Sequence, residues 1–157
     1  MLSNGFNQPI QVTWPYSDTE TVDMSVSYLW ETEELEFLVN MPVDSYIAIG
    51  FGSGMFQVDM IGWLAEGQGR CVDYWSTIYI TPREDDVQNV ESTSAILGGN
   101  RMEFTTRRKL DTGDDSEDFL ITLGEELNMV WAMKKGDASW GYHDERGEWS
   151  INFDFSE

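Results

Sequence analysis

Cysteine, histidine and positive charge are all scarce in this chain of 157 residues, and each scarcity removes a class of function. Cys71 stands alone, so no intrachain disulfide can close and no paired-cysteine metal or redox motif exists. It reads as a small buried hydrophobe. A single histidine, His143, leaves most metal and catalytic designs without a required part. Nine Lys and Arg against 29 Asp and Glu give a net charge of −20, which repels phosphate backbones and anionic lipid surfaces and excludes a nucleic-acid partner. A basic partner, a divalent cation or a merely solvated acidic surface stay open. No run of 18 apolar residues occurs, so no helical membrane insertion is expected. The start, Met1-Leu2-Ser3-Asn4-Gly5, shows no basic region followed by an apolar block, hence no visible signal peptide. Linker tracts, internal repeats and low-complexity segments are likewise missing, which makes residues 1–157 one domain.

What is present is aromatic and alternating. Seven Trp, six Tyr and eight Phe favour a β-rich core or a ligand-lined cavity. From Asp23 to Trp30 every even position is apolar; Leu35, Phe37 and Val39 alternate with Glu34 and Glu36, after a hairpin at Thr32-Glu33. Met102, Phe104 and Thr106 alternate with Arg101, Glu103 and Arg107. This is the period of strands with one dry face. The runs 46–51, 60–64 and 128–133 are apolar on both sides and suit central strands. Turn signals separate the runs: Pro42-Val43-Asp44, Glu66-Gly67-Gln68-Gly69, Pro82-Arg83-Glu84-Asp85-Asp86, Gly98-Gly99-Asn100 and Lys135-Gly136-Asp137. About ten strands at this spacing predict an all-β, single-domain antiparallel β-sandwich. Only Asp118 to Leu127 has helical flavour, and Gly124 within it argues for a short turn.

Two glycine-rich runs hold the candidate chemistry. Met55 sits in Gly50-Phe51-Gly52-Ser53-Gly54-Met55-Phe56, and His143 in Trp140-Gly141-Tyr142-His143-Asp144-Glu145-Arg146-Gly147. A thioether and an imidazole from two loops form the axial set of many electron-transfer haems. By residue type alone, Met55 is one of eight methionines filling core gaps, and His143 a surface loop residue. The glycines do not spell a dinucleotide fingerprint, because no βαβ unit follows. Asp59 and Asp73 lie inside apolar runs and should find donors or a cation. The run Asp111 to Asp118 offers hard oxygens for calcium but lacks EF-hand spacing, so a solvated acidic turn competes with that reading.

The order of these motifs resembles the DOMON domain family, of the haem-b-binding cytochrome type. Gly50-Phe51-Gly52 with Met55, then Asp59-Met60 and Asp73-Tyr74-Trp75-Ser76-Thr77, open the likeness. Arg107-Arg108-Lys109-Leu110-Asp111-Thr112-Gly113-Asp114, Val130-Trp131-Ala132 and Tyr142 to Gly147 continue it, from about residue 20 to 155. The resemblance implies a β-sandwich with a noncovalent haem b between Met55 and His143, there being no Cys-x-x-Cys-His run to tether it. With both axial positions filled it implies electron relay rather than catalysis. Phe51, Phe56, Trp63, Trp75 and Tyr142 are then the expected pocket-lining aromatics, with Trp140 and Trp149 as further walls. Arg146 is the candidate for a haem propionate. The Arg107-Arg108-Lys109 cluster is another, against the simpler reading of a strand whose alternate members reach solvent. Asp144 or Glu145 are the nearest groups to hold the imidazole. The resemblance also implies an extracellular, periplasmic or organelle-lumenal location and a redox partner protein or membrane cytochrome, the acidic chain favouring a basic surface. The alternative is a haem-free carbohydrate-binding or protein-interaction sandwich, since function lies in the site and not the fold.

Overall fold

The computed structural model describes residues 9–52, 58–76, 82–84, 88–113, 119–141 and 143–155. Alternation in the sequence becomes strand throughout, and no helix occurs among the described residues. One sheet takes the order β1-β2-β3-β9-β8, from Ile10–Pro15, Thr21–Leu29, Glu34–Pro42, Arg101–Lys109 and Val90–Leu97. The other runs β11-β10-β4-β5-β6-β7, from Glu145–Asn152, Glu126–Lys134, Tyr46–Phe51, Val58–Leu64, Arg70–Ser76 and Arg83–Glu84. Every pairing is antiparallel. The expected antiparallel sandwich is therefore present, with eleven strands among the described residues where about ten were expected. Two-residue β7 falls inside the Pro82–Asp86 run that reads as a turn.

The hairpins follow the turn chemistry. Glu33, Asp44 and Asn100 adopt left-handed backbone with φ of 55°, 57° and 59°, at the three turns read from the sequence around them. The segment 119–125 is irregular and Gly124 has φ 81°; this conformation suits glycine, and the short turn expected there is what forms.

Between the sheets, the period-two positions interlock. Val22, Met24 and Val26 of β2, Leu35, Phe37 and Val39 of β3 and Phe104 of β9 face Ile47, Ile49, Ile61, Trp63, Met129 and Met133. Trp63 is fully buried, tilted against Phe37 with centroids 5.8 Å apart, and its indole N–H donates to Thr106 Oγ1 at 3.0 Å. Thr106 is also 2.8 Å from Ser92 Oγ and 3.6 Å from Cys71 Sγ. Polar atoms inside this core are thus joined to each other across the two sheets, as burial demands.

Strands β4 and β5 differ from the rest, being buried at every position. Their second face belongs to a separate apolar cluster of Tyr46, Ala48, Val58, Met60, Leu64, Val72, Tyr74 and Val130, packed by Trp140. This outer face of the six-stranded sheet is what the fold contributes to a site. Truncating Trp63 to Ala should cost about 3–5 kcal/mol, read as a lower denaturant midpoint; Trp63→Phe should cost less, by keeping most of the volume while losing the Thr106 bond.

Candidate functional site

The outer face has a floor of small side chains. Register places Ala132, Ala48, Gly62 and Val72 in one cross-strand row and Val130, Gly50, Met60 and Tyr74 in the next. Glycine inside a strand marks close approach by another group. A Cβ on Gly50 would fall 2.7 Å from Val130 and 2.8 Å from Val58; one on Gly62 would fall 2.7 Å from Tyr74 and 3.0 Å from Trp140. Trp140 lies flat on Tyr74, centroids 3.9 Å apart and planes 4° from parallel, and is tilted against Tyr46 at 5.0 Å. Its indole N–H donates to the Pro82 carbonyl at 2.9 Å, and the Tyr46 hydroxyl donates to the Gly141 carbonyl at 2.7 Å. The loop after β10 is thereby pinned down on the floor.

That loop carries His143. Asp144 N–H donates to the Met133 carbonyl at 2.8 Å, Lys135 N–H donates to Asp144 Oδ2 at 2.8 Å, and Lys135 Nζ pairs with Glu145 at 2.7 Å. Both carboxylates named from sequence therefore brace the hairpin on which the histidine rides. Burial first, and then the positive charge of Arg146, hold the imidazole below its ordinary pKa. The neutral form, the one that binds metals, is favoured.

The β4–β5 connection that contains Met55 leaves from the opposite end of the same floor. Tyr46 pairs with Lys134 at one end of β4 and Phe51 with Met129 at the other, about 17 Å apart at strand rise. Met55, Phe56 and Tyr142 lie outside the described residues. Phe51 and Trp63 correct the lining read from sequence: both point between the sheets into the main core. Trp75 is half-buried and sits opposite Asp59 in register, on that same inner side. The reason is strand parity, which turns Tyr46, Met60 and Tyr74 outward and these three inward. Trp149 likewise packs edge-on against Trp14 at 5.7 Å, beside the main core. Of the described aromatics flanking His143, Trp140 is the one seated on the floor.

Arg146 is exposed, three residues from His143. Arg107 is exposed and pairs with Glu36 at 3.0 Å, and Lys109 is also exposed, so alternate members of that cluster do reach solvent. Arg108 instead is buried and bound to Asp59 at 2.8 Å. Asp73 accepts the Asn89 N–H, while Gln88 bonds both its backbone groups. Asp111 Oδ1 accepts the Gly113 N–H, and no acidic, cysteine or histidine cluster able to hold a metal ion occurs among the described residues. Tyr46, Tyr74 and Gly62 were not singled out from sequence. The available signal was a glycine interrupting the doubly apolar run 60–64.

Fold and site together define an all-antiparallel sandwich with an apolar platform on the outer face of one sheet, the His143 loop at one end and the stem of the Met55 run at the other. The family model described as DOMON domain matches residues 17–134, and the chain belongs to that family. The match ends with β10, before the His143 loop. In structure the chain is similar to the cytochrome domain of Myriococcum thermophilum cellobiose dehydrogenase, with TM-score 0.68 and 15% identity over 96% of this chain and 92% of that one. It is also similar to the cytochrome b domain of pyranose dehydrogenase from Coprinopsis cinerea, with TM-score 0.58 and 16% identity over 90% and 87%. At these identities the likeness establishes a shared fold. No curated protein matches in sequence. No helix among the described residues is long and apolar enough to cross a membrane.

Two outcomes follow from this geometry. Tyr46→Phe should destabilise the protein by about 1 kcal/mol and speed amide exchange at residues 141–144, since the Gly141 carbonyl loses its donor. Burial lifts the Cys71 thiol from 9.0 to about 12 and the Tyr74 hydroxyl from 10.0 to about 12. Above pH 9 the unfolded chain releases these protons before the folded one does, so stability present below that pH is lost as pH rises toward 12. Denaturant midpoints measured from pH 8 to 11 should fall, and Cys71 should resist alkylation until the protein unfolds.

Proposed function

We propose that this domain is a b-type cytochrome module that holds a noncovalent haem on the outer face of the six-stranded sheet. In this reading Met55 and His143 would hold the iron, and the module would relay single electrons. The observation that carries it is the placement of the chain's single histidine. The loop that bears His143 lies at one end of a small-residue platform, with burial lowering the imidazole pKa, and at the other end β4 leads into the Met55 run. Bound haem would supply a one-electron iron couple, whose potential a thioether ligand raises relative to two imidazoles.

The chain's own groups would do the rest. Ala48 and Ala132 keep the floor low for a flat ring system to approach, while Gly50 and Gly62 admit Val58, Val130, Tyr74 and Trp140 close against the sheet. Val58, Met60, Val72 and Val130 exclude water from it. Tyr46 fixes the histidine loop, and Arg146 is the exposed cation nearest His143 for a propionate. With thioether and imidazole both engaged, no position is left for substrate, which assigns relay rather than turnover to this domain. A net charge of −20 favours a redox partner with a basic surface, whose association should weaken as salt rises. The location in this reading is extracellular, periplasmic or organelle-lumenal.

The haem-free alternative, a sugar- or protein-binding sandwich, has one strongly exposed aromatic to offer among the described residues, Trp30. One stacking ring makes a poor platform beside the aromatic content of the outer face. The test is an absorption spectrum of protein prepared with haem present. A red, low-spin protein with a sharp reduced α-band is expected. Met55→Leu should convert it to high spin, and His143→Ala should lower haem retention at least tenfold. A colourless protein that refuses added haem would sink the reading and move glycan binding to the front.

A further inference from the structure

The ladder between the two strands that bear the Met55 loop ends in a cross-strand pair, Phe51 on β4 and Asp59 on β5. A single side chain from the opposite sheet touches both. Arg108 of β9 places its guanidinium carbon 5.0 Å from the centroid of the Phe51 ring, and its Nη2 donates to Asp59 Oδ2 at 2.8 Å. The two charged side chains are 2% and 1% exposed. Asp59 Oδ2 also accepts the Phe119 N–H at 2.9 Å, and the Phe119 ring stacks on Phe51 at 6.0 Å. The guanidinium is itself oriented by carbonyls, from Nη2 to Phe119 O at 2.5 Å and from Nη1 to Lys109 O at 2.7 Å. Its direction is therefore fixed by its own strand at Lys109 and by the 119–125 segment, which itself packs on Phe51.

We infer that Arg108 is a positioning residue for the methionine ligand: it clamps both residues from which the Met55 loop springs. This rests on the haem reading above. A thioether is the weaker of the two axial donors, so its bond depends on how well the protein holds its anchor; ligand geometry has to be kept within about 0.5 Å by supporting groups. A guanidinium can give one N–H to the carboxylate, others to carbonyls, and its flat face to the ring. An ammonium has no planar face and cannot reproduce that fork. The clamp thus explains why a cation is buried in the core beneath this hairpin, rather than left on the surface with Arg107 and Lys109.

The test uses the whole chain with two variants, Arg108→Lys and the charge-neutral pair Asp59→Asn with Arg108→Gln, the second leaving no unpaired buried charge. In the haem-free protein, hydrogen exchange at the 52–58 amides should quicken at least tenfold, while exchange at 141–144 stays unchanged. In the haem-loaded protein, haem should be retained through His143 while the spectrum shifts from low to high spin, as Met55→Leu shifts it. A role in stability alone would lower the melting temperature and leave the spin state untouched. Folded variants with wild-type exchange at 52–58 and a low-spin spectrum would overturn the inference. If the wild-type protein takes up no haem, the cytochrome reading fails, and the exchange measurement still decides whether Arg108 clamps the loop stem.

Discussion

Two-sided burial of β4 and β5 is the constraint on which the remainder depends. A strand that is dry on both faces needs a neighbour on each side and a layer above and below. The five-stranded sheet supplies one layer. The other is the aromatic cover of the outer face, in which Trp140 is stacked on Tyr74 and tied to Pro82. Each apolar side chain kept from water there is worth about 1.5–3 kcal/mol, so the cover is part of the stability as well as the site. The loop that provides Trp140 also presents His143. Covering the platform thus also fixes the loop in which His143 lies.

Electrostatics divides sharply between surface and interior. Most of the acidic residues among those described are exposed, and the ion pairs Arg107–Glu36, Lys134–Asp137 and Lys135–Glu145 are substantially exposed. Such pairs contribute little, about 0–1 kcal/mol each. Arg108–Asp59 is of another kind, desolvated on both sides. Burial of a pair is costly and adds little net stability, but loss of one partner strands the other's charge, at about 3–5 kcal/mol. Its lasting contribution is geometric, because it sets one sheet against the other beneath the β4–β5 hairpin.

The sandwich was legible because alternation at β2, β3 and β9 leaves only one face able to be dry. The site was less so, for a reason visible in β4 and β5. Where both faces are apolar, the period of two survives but its sign does not, and nothing local says which set faces the opposite sheet. Phe51 and Trp63 thus read as lining, while Tyr46 and Met60, one residue out of phase, escaped notice. Asp59 announced that it needed a partner, yet the partner is 49 positions away on the other sheet. Trp149 and Trp140 look equivalent in sequence; strand β11 takes one to the core and the hairpin takes the other to the platform.

By itself the sequence determined the all-β class, the net charge of −20 and the two glycine-rich runs that hold a thioether and an imidazole. These follow from local alternation, charge count and residue type, which need no partner to be read. The tertiary structure decided which face of the six-stranded sheet is the platform, that the histidine loop and the stem of the methionine loop meet it from opposite ends, and that Arg108 belongs to Asp59 and not to solvent. Those are matters of register and crossing between sheets, set by the collective packing of side chains far apart in the chain.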